Sequence, residues 1–102
     1  MMNWQQQAAD FAEKQNLTHP AGVYALDLMS EIGEVAKELL LATGYGERPF
    51  TPPPSPNLIL ELGDALYSLC QLATSAGVDL DTALTLALEK YRQRQQAGET
   101  GD

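Results

Sequence analysis

The sequence predicts an all-α domain, a four-helix bundle-like unit completed by self-association. Three observations carry this. Apolar residues recur at helical spacing through four separate stretches. Prolines, the stop glycines Gly44 and Gly77 and the capping residues Ser55 and Asp79 fall at the ends of those stretches or between them. No segment alternates apolar and polar residues as a half-buried strand would, and there are no internal repeats.

Residues 3–15 suit a first helix, with Trp4, Ala8, Phe11 and Ala12 at helical spacing. Asn16 to Pro20 interrupts it, because a residue before proline is pushed out of helical geometry. His19, the only histidine, reads there as a loop or capping residue. Residues 21–42 form a long second helix with an apolar stripe of Tyr24, Leu28, Ile32, Val35 and Leu39. Residues 43–55 are an irregular, proline-rich connector, whose Tyr45 and Phe50 are distant candidates for contacts with a ligand. Ser55 and Pro56 make a cap and first-turn pair for a third helix running to about Ala76, and Gly77 stops it. Asp79 caps a fourth helix through about Gln96, with Leu80, Ala83, Leu84, Ala87, Leu88 and Tyr91 as its buried face. One domain over residues 1–96 and a disordered tail over 97–102 follow.

Composition narrows the function. Fourteen acids against six bases give a net charge of −8, which argues against passive binding to nucleic acid or an anionic membrane surface. A polyanionic substrate would be repelled unless a divalent metal mediated the contact. The single cysteine, Cys70, lies within the third helix and reads as a small core hydrophobe. No secretory signal and no membrane span is visible, so the expected location is the cytoplasm.

The third helix is the unusual one. Asn57–Ala76 holds only two charges, Glu61 and Asp64, both negative, in a stretch apolar around most of its circumference. Such a helix is normally buried, and carboxylates there need a compensating cation or hydrogen-bond donors. The second helix carries a matching stripe, with Asp27, Glu31, Glu34 and Glu38 within roughly 60° of one another and only Lys37 as a base, on another side. Like charges at this spacing repel, and an ordinary solvent face would intersperse lysines. If the two helices pack antiparallel, Glu31 and Glu34 on one and Glu61 and Asp64 on the other converge. Hard oxygen donors suit Mg2+, with Mn2+ as the alternative. A di-iron carboxylate site would want a Glu-x-x-His pair on each of two helices, and none of these helices holds a histidine. The bland alternative is that both acid stripes are solvated faces.

SEIGEVAKE (residues 30–38) followed by ELGDALYSL (residues 61–69) resembles the all-α nucleoside triphosphate pyrophosphohydrolases of the MazG-like family, over about Tyr24 to Arg94. The resemblance implies cleavage of a (deoxy)nucleoside triphosphate between its α and β phosphates, giving the monophosphate and pyrophosphate, with nucleotide-pool sanitation as a role. It implies Mg2+ ligation by Glu31, Glu34, Glu61 and Asp64. Ser30 stands where the family often has a further glutamate, which brings Glu38 and Asp27 into consideration. Glu34 or Glu38 is the expected acceptor of the attacking water's proton. Lys90 and Arg94 are the candidates for the outer phosphates, although cations at a helix C-terminus also complement its dipole. Trp4 reads first as a hydrophobic anchor of the first helix and second as a base-stacking residue. The resemblance also implies a homodimer or homotetramer. Asn57 and Ser68 flank the third-helix acids as possible supporting donors. The rival class is a non-catalytic helical interaction module with an acidic surface, and the rival enzyme is a relative of narrower range, acting on dUTP or phosphoribosyl-ATP.

Overall fold

A computed structural model describes residues 2–98. Its elements are α1 (Trp4–Lys14), α2 (Ala21–Ala42), α3 (Pro56–Ser75) and α4 (Leu80–Gln96), with no strand among the described residues. The domain is therefore all-α with four helices, as the periodicity predicts, and the predicted boundaries hold to within about a residue. Of the expected tail, residues 99–102 lie outside the described residues.

Local chemistry explains the boundaries. The Asn3 side chain accepts the Gln6 N–H while the Gln6 side chain accepts the Asn3 N–H, a reciprocal capping box on α1. Ser55 accepts from Leu58 N–H at 3.1 Å, with Pro56 in the first turn of α3. Asp79 accepts from Thr82 N–H at 3.0 Å and opens α4. The first three helices end in one way: the chain turns left-handed just past the cap, at Asn16, Gly44 and Gly77. The next N–H then returns to a carbonyl in the last turn, as Leu17 to Ala12 and Val78 to Ala73, both at 2.8 Å, and Tyr45 to Leu40 at 2.7 Å. Glycine suits that left-handed position because it has no Cβ to strain.

The packing is uneven. The α2–α3 contact is the main one, α1 lies on α3, and α4 barely touches the other helices. The buried hydrophobic residues are few and mostly small, Ala8, Ala12, Ala65, Cys70 and Ala73 beside Tyr24 and Leu58, with the Phe11 and Tyr67 rings meeting edge to face at 6.2 Å. The root of α4 is tied down by side chains of α1 and its cap. Leu80 N–H donates to Gln5 Oε1 at 2.8 Å, Gln5 Nε2 donates to the Val78 carbonyl at 2.7 Å, and Asn3 Nδ2 donates to Asp81 at 3.2 Å. The Cα radius of gyration, 16.5 Å, exceeds the ~13 Å of a closed domain this long.

Two expectations are corrected here. No residue of α4 is buried: Leu84, Leu88 and Tyr91 are exposed, Leu84 at 59%, because no other helix of the chain covers that face. Trp4 does not anchor α1, being 70% exposed. Ala8, Ala12 and Phe11 seat that helix instead. Cys70 is buried, as its setting predicts, and burial pushes its thiol pKa up.

Candidate metal centre

Position along two antiparallel helices builds the site. The i,i+3 spacing sets Glu61 and Asp64 one turn apart on one side of α3, and Glu31 faces them from α2. Each of the three can offer a carboxylate oxygen such that the three atoms lie within 4.8 Å of one another. Glu31 and Glu61 are half-buried and Asp64 is exposed, so the group lies at the edge of the seam with one side open.

The electrostatics are one-sided. Partial burial first, then the negative charges of Asp64, Glu61, Glu34 and Asp27, raise the Glu31 pKa above the ordinary carboxylate value. Among the described residues no lysine or arginine pairs with these carboxylates; the ion pairs are Lys14–Asp10 and Arg92–Glu89, both within single helices on the surface. Three acids from two helices, with no base paired to them among the described residues, are a group that could hold a metal ion. The donors are all hard oxygens, which fit Mg2+ or Mn2+ and not a soft or imidazole-seeking metal.

Of the other residues singled out by the sequence, Glu34 is exposed and lies outside the tight group, near enough for its charge to act on Glu31. Glu38, half-buried, and Asp27, exposed, also lie outside it. Asn57 and Ser68 make no hydrogen bond to the carboxylates, although Ser68 is buried. Lys90 and Arg94 are on the projecting helix: Lys90 lies 5.2 Å from the centre of the Tyr91 ring, and neither is among the charges acting on Glu31. Trp4 borders a recess of about 430 Å³ between α1, α3 and the start of α4, together with Leu66, Cys70, Leu80 and Asp81. His19 packs its ring against Tyr24, edge on at 5.6 Å, and takes no part in the acidic group.

Sequence reasoning gave no role to the pair that joins the two helices nearby. Tyr24 counted only as part of an apolar stripe, and Gln71 was given no role. In the structure Gln71 Nε2 donates to the Tyr24 hydroxyl at 3.2 Å inside the seam. The available signal was that each lies seven residues from an acid of the site on its own helix.

No described helix is long and apolar enough to cross a membrane. No curated protein matches the chain significantly. The family model of the MazG nucleotide pyrophosphohydrolase domain matches residues 22–98, a span that holds α3, α4, nearly all of α2 and the carboxylates of Asp27, Glu31, Glu34, Glu38, Glu61 and Asp64. The chain belongs to the MazG nucleotide pyrophosphohydrolase domain family.

Proposed function

We propose that this protein hydrolyses (deoxy)nucleoside triphosphates between the α and β phosphates, with Mg2+ held by Glu31, Glu61 and Asp64 and with Glu34 closing the ligand set. The carrying observation is the convergence of three carboxylates from two helices within 4.8 Å, with no base paired to them among the described residues. A bound divalent cation supplies neutralisation of phosphate charge and a lowered pKa for water. Glu34, one turn from Glu31 and open to solvent, is suited to accept the proton of the attacking water, with Glu38 a further turn along α2 as the second candidate. Lys90 and Arg94 are assigned to the β and γ phosphates. Trp4, exposed beside the recess, is assigned to stacking on the base.

Self-association belongs to the same reading. Leu84, Leu86 and Leu88 on α4, Ile59 and Leu60 on α3, and Leu26 and Met29 on α2 are all exposed in the single chain. So much apolar surface on so small a core favours cover from further copies, as a homodimer or homotetramer. A cytoplasmic setting is proposed with it.

The test is pyrophosphate release from a panel of canonical and modified nucleoside triphosphates, with Mg2+ or with EDTA, comparing the parent with Glu34→Gln. Metal-dependent release is expected in the parent. Loss of about 10²–10⁴-fold in the variant, with its helical content unchanged, is the expected effect of removing a proton acceptor. No release from any nucleotide would overturn the enzymatic reading and leave the exposed α4 face as the basis of an interaction module.

A further inference from the structure

We propose that Tyr24 and Gln71 are positioning residues that fix the register of α2 against α3 and thereby bring Glu31 to Glu61 and Asp64. Three observations support this. The Gln71 Nε2–Tyr24 hydroxyl bond is the only hydrogen bond joining α2 to α3 among the described residues. Both partners are buried, Tyr24 at 2% and Gln71 at 3% exposure. The spacing is symmetric. Tyr24 precedes Glu31 by seven residues, and Gln71 follows Asp64 by seven.

Seven residues are two helical turns, about 10.5 Å of rise and only ~20° of rotation. Tyr24 and Glu31 therefore lie on one face of α2, and Gln71 and Asp64 on one face of α3. In an antiparallel pair, setting Tyr24 beside Gln71 sets Glu31 beside Asp64. Apart from Gln71, the buried residues of α3 are small or apolar: Leu58, Ala65, Ser68, Cys70 and Ala73. Such contacts have no direction, and a slip by one turn, about 5.4 Å, would still bury apolar surface while separating the carboxylates.

The chemistry of the pair suits specification better than stability. The Tyr24 hydroxyl is well used: it donates to the Leu17 carbonyl at 2.7 Å and accepts from His19 N–H at 3.2 Å as well as from Gln71. Gln71 Oε1 is buried and no donor among the described residues reaches it. A buried carbonyl without a partner costs stability that an apolar side chain of similar size would not. A buried polar group that opposes stability yet admits a single alignment is the established device for fixing register between helices. The α1–α2 connector joins the same node, because Ser75 Oγ donates to the His19 carbonyl at 3.0 Å.

The proposal rests on the carboxylates' being metal ligands, and two measurements separate its failure from the failure of that reading. The first is Mn2+ affinity by electron paramagnetic resonance together with melting in EDTA, for the parent, Gln71→Met and Tyr24→Phe. Gln71→Met is expected to melt no lower than the parent, yet to bind Mn2+ about tenfold or more weaker, the scale seen when groups supporting metal ligands are lost. A merely structural role would lower the melting point and leave the affinity unchanged. The second needs no metal: spin labels at Lys37→Cys and Leu60→Cys, diluted with unlabelled chain, are expected to give one distance in the parent. In Gln71→Met that distance should shift or split. If Gln71→Met does not fold, Tyr24→Phe, which removes a single hydroxyl, serves for both. A parent that binds no Mn2+ overturns the metal reading, and the distances then decide the register alone. Unchanged distances and unchanged affinity in the folded variants would overturn the proposal.

Discussion

α3 and α4 present the same kind of pattern and meet different fates. Both are capped by a side chain accepting an N–H three residues on, and both carry apolar residues at helical spacing. α3 buries Leu58, Ala65, Ser68, Cys70, Gln71 and Ala73 against the rest of the chain, whereas α4 buries nothing. Helical periodicity therefore states that a face seeks cover, not which chain supplies it. The same distinction applies within α3, whose Leu60 remains 65% exposed although the whole stretch is rich in apolar residues.

If the exposed face of α4 is an interface, charge placed there should have the largest physical effect. Leu84→Glu with Leu88→Glu is expected to convert an oligomer to monomer, as read by sedimentation, while leaving the far-ultraviolet circular dichroism of the helices in place. An unchanged mass would break the contrast between the two helices. The same double substitution on a monomeric parent would change neither property, so the parent's mass is measured first.

The acidic seam gives a second, smaller effect with a definite sign. The Glu31 carboxyl has its pKa raised above 4.5 on folding by partial burial and by its acidic neighbours. A group raised in this way favours the fold below its unfolded pKa and loses that contribution as pH rises through the folded value. In EDTA, the melting temperature of the parent should therefore carry a falling component as pH rises from about 4.5 towards neutrality. Glu31→Gln should remove that component and melt higher than the parent at pH 7, while losing its response to Mg2+. A variant that melts lower at pH 7 in EDTA would contradict the repulsion assigned to the three carboxylates.

The smallest effect expected is at the start of α3. Ser55→Ala removes the acceptor for Leu58 N–H and should cost about 1 kcal/mol by denaturant titration. A helix already held by α1 and α2 should survive it.

Much of this was legible in the sequence, and the misses have physical causes. Helix ends were readable because Ser55, Asp79, Gly44 and Gly77 act through their own backbone geometry, a local property. The convergence of Glu31, Glu61 and Asp64 was readable because carboxylates without interspersed bases need an explanation, although the same pattern and the motif pair also included Glu34, which lies outside the tight group. The α4 face was misassigned because cover is not a local property. Trp4 was read as an anchor because size suggests burial, yet alanines fit the close approach of α1 to α3. Tyr24 and Gln71 went without a role because a hydroxyl in an apolar stripe and an amide on a largely apolar helix reveal their pairing only once the helices are docked.

The central claim is that Glu31, Glu61 and Asp64 form a cation site, and melting with Mg2+ or Mn2+ tests it most directly. A ligand present at a hundred times its Kd stabilises the state that binds it by about 2.7 kcal/mol. The parent should show a saturable rise in melting temperature as either ion is added, and Glu61→Gln should show little or none. A parent whose melting does not respond to millimolar Mg2+ or Mn2+, or a Glu61→Gln variant that responds as fully as the parent, would contradict the assignment.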